Sequence, residues 1–153
     1  MKKSIIALDS PTRNGSSYPA PHNIPCMDRT KYILGDQFGL NQFGVNLAVL
    51  SPGAWSSQRH WHETEDEFIY VVEGEITLSD DTGDHVLTPG MCAGFKAGAN
   101  NGHCLKNLTT KSVTYLEVGT RKTNERAHYS EVDMMALIEN SKARFVKRDG
   151  SEF

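Results

Sequence analysis

The sequence predicts an all-β protein, a sandwich or barrel of short strands, and three observations support this class. Between residues 42 and 120, short runs rich in Val, Ile, Thr and Tyr alternate with clusters of turn-forming residues. The first run, 43–49, has the alternating pattern of a strand, and a helical signal appears only after Gly119. Short strands separated by turns at this spacing are typical of sandwiches and barrels rather than of βαβ folds.

Residues 1–41 are predicted to form an extended N-terminal arm that lies on the rest of the domain. Four of the six prolines fall in this segment, with Asn, Gly and Ser between them. Proline lacks a backbone donor and disfavours regular structure, so we expect one short strand at most, near 32–34. Whether the arm crosses to a second subunit is an open alternative.

The predicted barrel core covers residues 42–120. Its strands are expected at 43–49, 68–72, 76–78, 85–87 and 113–118, with turns at 51–53, 63–66, 73–75, 80–84, 89–90, 97–102 and 107–111. After the core, Ser130 precedes a run of helix-forming residues at 134–138, which predicts one short helix with a serine cap. A strand and a turn at Asp149-Gly150 complete a C-terminal segment over 128–153. We therefore predict one domain over 1–153.

Composition excludes several classes of function. The formal net charge of −3 and the pI near 6.0 give no basic surface for nucleic acid. No apolar run approaches the length of a membrane span, and the apolar stretch before Asp9 is too short for a signal peptide. Three cysteines in no metal-binding spacing indicate neither a disulfide framework nor a structural zinc site. We expect a cytoplasmic protein with a small-molecule ligand.

Two histidines and a glutamate dominate the segment between Gly53 and Gly74. On a strand, His60 and His62 would place both imidazoles on one face, able to converge on one ion. Glu67 lies five residues after His62, an odd number, so on a continuous strand it would point away. We therefore predict a hairpin turn over 63–66 that returns Glu67 on the neighbouring strand, facing the same cavity. A solvated hairpin loop without metal is the alternative.

His103 is the predicted fourth ligand. It follows a glycine-rich turn, where a strand would begin, and Asn107 has the same strand parity. Three neutral imidazoles and one carboxylate suit a divalent first-row metal with open positions for water or substrate. The ligand set His60, His62, Glu67 and His103 would accept Zn, Fe, Mn or Ni. Asn107 is expected to bond the backbone instead.

These residues resemble the two motifs of the cupin superfamily. Gly53, His60, His62, Glu67 and Gly74 are similar to the first motif, G-x5-H-x-H-x3,4-E-x6-G, and Gly90, Gly98, His103 and Asn107 are similar to the second, G-x5-P-x-G-x2-H-x3-N. This sequence departs in three places: six residues separate Gly53 from His60, Lys96 replaces the usual proline, and four residues separate Gly98 from His103.

The resemblance implies a fold and an assembly. The fold would be a double-stranded β-helix of jelly-roll type, and small single-domain cupins are commonly dimers, so a homodimer is expected. As a whole the sequence is similar to small bacterial cupins without an assigned activity.

Four further residues are candidates for contact with substrate. Ser56 and Gln58 share the parity of the histidines if the strand is unbroken, and each could bond a ligand on the metal or satisfy backbone groups. Tyr115 and Glu117 share one face of the last core strand, and they are weak catalytic candidates.

Two main functions follow from this site. One is a metal-dependent enzyme, such as an oxygenase, decarboxylase, lyase or isomerase. The other is a non-catalytic module that binds a small polar or carboxylate-bearing molecule. A sugar epimerase-like cupin is a third possibility, although the predicted cavity strands contain few Arg and Lys residues for phosphate. Fold alone cannot choose among them.

Overall fold

The computed structural model describes residues 3–153, and its regular secondary structure consists almost entirely of antiparallel strands. Single-turn 3-10 helices occur at Ala7–Asp9, Ile24–Cys26 and Gly35–Phe38. The strands are β1 (Thr12–Asn14), β2 (Arg29–Ile33), β3 (Phe43–Leu50), β4 (His60–His62), β5 (Glu67–Glu73), β6 (Ile76–Asp80), β7 (Gly83–Leu87), β8 (Cys92–Phe95), β9 (Cys104–Lys106), β10 (Val113–Thr120), β11 (Glu125–Tyr129), β12 (Met135–Glu139) and β13 (Lys142–Val146).

Three sheets form a jelly-roll barrel, which confirms the predicted fold class. A six-stranded sheet has the order β1-β2-β3-β10-β5-β8, a four-stranded sheet β13-β12-β11-β4, and a three-stranded sheet β7-β6-β9. Isolated bridges between Trp55 and Lys106 and between His60 and His103 join the segment 55–60 to the region of β9. Because β4 and β5 belong to different sheets, residues on both can face the interior between them.

The main apolar core lies in the interior of the barrel. Its buried side chains come mainly from β3, β5, β6 and β10, with Tyr115, Leu50, Ile76 and Val71 among the largest that are fully buried. Ile69 and Val71 share the face of Glu67, as strand parity predicts, and form an apolar wall beyond it. Among the described helices, none is long and apolar enough to cross a membrane.

The N-terminal arm packs on the barrel and adds two strands to it. β2 pairs with β3 and extends the large sheet, and β1 pairs with β2 at its edge. The predicted strand near 32–34 corresponds to β2, which begins earlier, whereas β1 was not predicted. Tyr18 packs edge-on against Tyr129 and Phe145, with each pair of ring centroids 5.4 Å apart. The arm therefore also covers the four-stranded sheet.

The predicted C-terminal helix is wrong. Residues 131–133 form bends, and the apolar run forms β12, paired with β11 on one side and β13 on the other. Met134 is fully buried and Ala136 is nearly so, in a small cluster with Ala127 and Tyr129. Pairing on both edges and burial outweigh the helical propensity of a short run, which contributes only tenths of a kcal/mol per residue.

Replacing Gly74 by alanine should destabilise the barrel more than the same change at Gly53. Both glycines have positive φ, at 82° and 83°, which costs a side chain about 1–2 kcal/mol. A Cβ at Gly74 would also lie 3.0 Å from Ser112 O and 3.1 Å from Val113 Cα, whereas a Cβ at Gly53 meets no atom within 4 Å. We expect Gly74→Ala to cost about 1–3 kcal/mol more, measured by urea denaturation. Equal losses would contradict the predicted clash.

Candidate metal centre

β4 places His60 and His62 on one face, and Glu67 and His103 face them. The His60, His62 and His103 Nε2 atoms lie 3.7, 3.5 and 2.9 Å from Glu67 Oε2. His60, His62 and Glu67 offer donor atoms that all lie within 4.8 Å of one another. His103 approaches Glu67 but is not part of this group of three, so the structure brings the four predicted ligands near Glu67 Oε2 with His103 at the edge of the cluster.

The three distances to Glu67 Oε2 lie within about 0.3 Å of the spacing between ligands of one divalent ion. Two donor atoms about 2.1 Å from a common ion are roughly 3.0 Å apart at a right angle and about 3.4 Å apart at the tetrahedral angle. Glu67 Oε2 is buried and has no well-aligned hydrogen-bond donor, although His103 Nε2 is only 2.9 Å away. An unsatisfied buried carboxylate oxygen is costly, and a cation among the imidazoles would satisfy it.

The protonation states are those that a metal requires. His60 Nδ1 lies 2.9 Å from the carbonyl oxygen of Gln58, which can only accept, so Nδ1 carries the proton and Nε2 presents its lone pair inwards. Burial, with His103 and His62 nearby, lowers the pKa of His60 to about 3, despite the opposing effect of Glu67. Burial alone would raise the pKa of Glu67, but the three imidazoles outweigh it and hold that pKa well below its usual range.

The predicted hairpin between His62 and Glu67 is wrong, although the predicted turn is present. β4 pairs with β11, while β5 pairs with β10 and β8, so the two strands are not neighbours in one sheet. The chain turns over 63–66 and crosses from the four-stranded to the six-stranded sheet. Glu67 still faces the histidines, because the crossing changes the direction of the chain as a hairpin would.

Glu125, at the start of β11, holds that turn and was not predicted. Its buried carboxylate accepts hydrogen bonds from Glu63 N at 2.7 Å, Thr64 N at 2.9 Å and the Thr64 hydroxyl. Oε1 also lies 3.6 Å from His62 Nδ1, the ring nitrogen that faces away from Glu67. This separation is too long for a hydrogen bond, and His62 Nδ1 has no hydrogen-bond partner, so Glu125 stands behind the ring as a nearby negative charge.

The longer turn before His103 does not displace its backbone. His103 and His60 exchange backbone hydrogen bonds, with N···O distances of 2.9 and 3.2 Å. The extra residues form a loop in which Gly98 N donates to His62 O. Phe95 stacks on the His103 ring with centroids 3.5 Å apart and planes 1° apart. The ring is therefore held by its backbone bridge and by Phe95.

A cavity of about 330 Å³ opens beside the cluster. His60, Glu67 and His103 contribute to its wall, together with apolar side chains of Ile69, Phe95 and Leu105. This volume is within the usual range for sites that bind small molecules. A ligand in the cavity would therefore contact any metal held by the four residues.

The two catalytic candidates, Tyr115 and Glu117, both line this cavity. Glu117 Oε1 accepts a hydrogen bond from Asn46 Nδ2 at 2.8 Å and lies 2.7 Å from Lys31 Nζ. The Tyr115 hydroxyl is buried without a hydrogen-bond partner, and burial raises its pKa well above the ordinary value. The phenol is therefore a proton donor that lacks an acceptor.

The two predicted substrate-binding residues are placed differently. Ser56 lines the cavity, and its hydroxyl accepts a hydrogen bond from Leu105 N at 2.9 Å. Gln58 lies outside that wall and donates to His22 O of the arm at 2.8 Å. The strand does not run unbroken from Ser56 to His60, because residues 56–59 form bends, and strand parity therefore fails there.

Two other residues near the cluster have structural roles, and Asn107 bonds the backbone as expected. The Asn107 side chain is buried and bonds the backbone, donating to Leu50 O at 2.9 Å and Lys111 O at 2.8 Å. Cys104 is buried beside the site, and burial raises the pKa of its thiol to about 11. It remains a thiol at neutral pH and is a poor nucleophile.

The cavity is richer in cations than the sequence indicated. Arg13, Arg29 and Lys31 of the arm and Arg121 at the end of β10 contribute to its wall. The expectation of few basic side chains at the cavity considered only the core strands, and most of these cations come from β1 and β2. The cavity therefore offers basic side chains to a phosphorylated ligand.

Fold and site together define a jelly-roll barrel with a histidine and carboxylate cluster at its interior. The cupin domain family matches residues 46–119. The chain is 45% identical to a sugar phosphate isomerase of the cupin superfamily from Silicibacter pomeroyi, with a TM-score of 0.94 over 98% of this chain and 96% of that one. The chain belongs to the cupin superfamily.

Two further solved structures are similar. A candidate sugar phosphate isomerase from Acidithiobacillus ferrooxidans is 27% identical, with a TM-score of 0.74 over 82% of this chain and 80% of that one. A polyketide cyclase from Streptomyces resistomycificus, 19% identical with a TM-score of 0.63 over 80% of this chain and 81% of that one, shares the fold. Comparison with curated proteins gives no significant match.

Proposed function

We propose that this protein is a metal-dependent isomerase of a small sugar phosphate. His60, His62, Glu67 and His103 would hold one divalent ion, with Zn, Fe, Mn and Ni as candidates. The observation that carries the proposal is the convergence of three imidazole Nε2 atoms on Glu67 Oε2 at the wall of a cavity that also contains Glu117 and Tyr115. The similarity to a sugar phosphate isomerase and to a candidate one supports it.

A divalent ion at this site would supply Lewis-acid chemistry to a bound carbonyl or hydroxyl oxygen. The protein would supply the proton transfers. Interconversion of an aldose and a ketose moves one proton between adjacent carbons and a second between their oxygens, so the product has the formula of the substrate. No external oxidant or reductant is needed.

Glu117 is the proposed base. Its carboxylate would accept a proton from the carbon beside the carbonyl group and return it to the neighbouring carbon. Asn46 and Lys31 fix Oε1 at 2.8 and 2.7 Å, which orients the carboxylate in the cavity wall. The un-ionised Tyr115 hydroxyl would donate a hydrogen bond to a substrate oxygen, and this would satisfy its buried and unpaired donor.

A binding module without turnover is the second candidate, and one observation favours it. Glu117 is already ion-paired with Lys31, at 2.7 Å, so its negative charge is partly neutralised before a ligand enters. In that case the cavity would hold the same anionic ligand without moving its protons.

We also propose a homodimer. The outer face of β5 exposes Phe68, Tyr70 and Val72, each between 42% and 48% exposed. Neighbouring positions on β10 and β3 are apolar as well, including Leu116, paired with Tyr70, and Leu47 beyond it. An exposed apolar sheet face of this kind suits contact with a second subunit.

The proposed function is tested with metal-loaded protein and a panel of aldose phosphates and ketose phosphates. Elemental analysis should find about one ion per chain, and NMR in deuterated water should show interconversion with solvent exchange at the carbon beside the carbonyl group. Glu117→Gln should lower turnover by about 100-fold or more while it keeps the metal. Glu139→Gln, on the exposed end of β12, is the matched control and should leave turnover unchanged. A metal-loaded protein that binds sugar phosphates without turnover would support the binding module.

A further inference from the structure

The arm presents three cations on one face of the β1–β2 ribbon. Arg29 and Lys31 alternate along β2 and pair with Leu50 and Ala48 of β3, both of which are fully buried. Paired residues of antiparallel strands share a face, so the two cations are directed towards the barrel interior. Arg13 pairs with Lys31 across the ribbon, and all three line the cavity beside the metal ligands.

This arrangement is electrostatically unfavourable without an anion. Like charges directly opposite each other on paired strands destabilise a sheet, and Arg13 and Lys31 are such a pair. Within 4.0 Å, Lys31 contacts the Glu117 carboxylate, whereas no carboxylate of the described residues approaches Arg13 or Arg29 so closely. Three positive charges and one negative charge leave an excess of two positive charges at the ribbon.

Arg29 is held in place by neutral groups. Its Nε and Nη2 donate to Gly15 O at 3.1 and 2.6 Å, and Nη1 donates to Ser56 O. These carbonyl oxygens orient the guanidinium without cancelling its charge. Of its five N–H donors, three are used, which leaves two in a planar group that lines the cavity.

We propose that Arg13, Arg29 and Lys31 form a subsite for the dianion of a phosphate monoester, and that Arg29 is its anchor. A dianion matches the excess of two positive charges, whereas a carboxylate would leave one uncompensated. Planar guanidinium groups bind phosphate through paired hydrogen bonds. The identity of the sugar end rests on the proposed function, but phosphate binding at the ribbon can be measured without turnover.

The subsite gives the cavity two chemically different ends. The phosphate would lie under the ribbon, and the rest of the molecule would reach the side where His60, Glu67 and His103 contribute to the wall. Because the ribbon belongs to the arm, the arm would select phosphorylated over unphosphorylated ligands. Fixing one end of a substrate also orients its reacting end.

The test is calorimetric titration of the full chain with inorganic phosphate and with glycerol 3-phosphate at pH 8, with glycerol as the uncharged counterpart. Metal-free protein is used first, so that an anion bound directly to the metal is not mistaken for the subsite. Arg29→Gln should weaken binding of both anions by at least tenfold, and Arg13→Gln by about threefold to tenfold. Arg144→Gln, which removes an equal charge from an exposed position of β13, is the control and should have no effect.

Arg13→Gln keeps the test decisive if Arg29→Gln disturbs the arm, because the Arg13 side chain is exposed on the short strand β1. Equal affinity in the wild type and Arg13→Gln, or phosphate binding that requires the metal, would overturn the subsite. Anion binding that both variants lose, in a protein without isomerase activity, would support the subsite and refute the proposed reaction. Sugar phosphate turnover with unchanged anion affinity in both variants would support the proposed reaction and refute the subsite.

Discussion

Replacing His60 and His62 together by alanine should abolish metal binding and leave the barrel folded. The two Nε2 atoms lie 3.7 and 3.5 Å from Glu67 Oε2, so the double variant removes half of the proposed four-ligand set. A carboxylate and one imidazole remain, and we expect affinity for a divalent ion to fall by far more than the 10–100-fold typical of changes behind the ligands. Neither histidine belongs to the main apolar core, so the fold should persist.

The measurement is elemental analysis of purified protein, with circular dichroism to confirm the β-structure. His85→Ala is the matched control, because His85 lies on β7 with its side chain 48% exposed and contacts Thr82 and Asp80 instead of the cluster. The control should keep about one ion per chain. A stoichiometric ion in the folded double variant would place the metal elsewhere and refute the site.

Strand parity identified the histidines and Glu67 because the relevant signals are local. His60 and His62 are two residues apart on β4, and the odd separation of Glu67 required a change of direction between them. Parity could not show whether the chain would form a hairpin or cross between sheets. That choice depends on β11, more than sixty residues later, which pairs with β4 in place of β5.

The sequence did not predict that the cations of the β1–β2 ribbon line the cavity, and the reason is different. Arg29 and Lys31 share the face of the buried Ile33 on β2, but a short segment after several prolines resembles an arm more than a sheet strand. Cations at interior positions are rare, so a pattern rule assigns them to solvent. Only the pairing of β2 with β3 shows that they face the cavity.

The C-terminal run 134–138 shows the limit of propensity. Its residues favour a helix in isolation, and Ser130 is a suitable cap. In the folded chain Ser130 N instead donates to Arg59 O at 2.9 Å, and Met134 is buried against Tyr129. Long-range pairing decides the structure of such short segments.

Glu125→Gln should both destabilise the protein and weaken metal binding, although the residue is not a proposed ligand. The carboxylate accepts three hydrogen bonds from the turn at 63–64, including one from each backbone N–H. An amide has one oxygen for two backbone donors that approach separate oxygens, so at least one buried donor would lose its partner. A lost buried hydrogen bond to a charged group costs about 1.5–3 kcal/mol.

The effect on the metal follows from the position of Glu125 behind His62. Oε1 lies 3.6 Å from His62 Nδ1, and the same carboxylate fixes the turn that delivers Glu67 to the cluster. Loss of such a supporting carboxylate typically lowers metal affinity by about 10–100-fold. Affinity is measured by competition with a chromogenic chelator, and stability by urea denaturation of the metal-free protein. Stability has to be measured without metal, because bound metal would itself stabilise the folded state.

Glu139→Gln is the control for both measurements, since Glu139 ends β12 with its side chain 64% exposed and contacts only Arg144 among the ion pairs of the described residues. An exposed pair of this kind contributes at most about 1 kcal/mol, so stability and metal affinity should change little. If Glu125→Gln lowered stability but left affinity unchanged, Glu125 would act on the turn alone, without fixing the His62 ring. If both properties fell, the Glu125 carboxylate would have two roles. It would stabilise the turn between the sheets, and it would also help to position the proposed metal ligands.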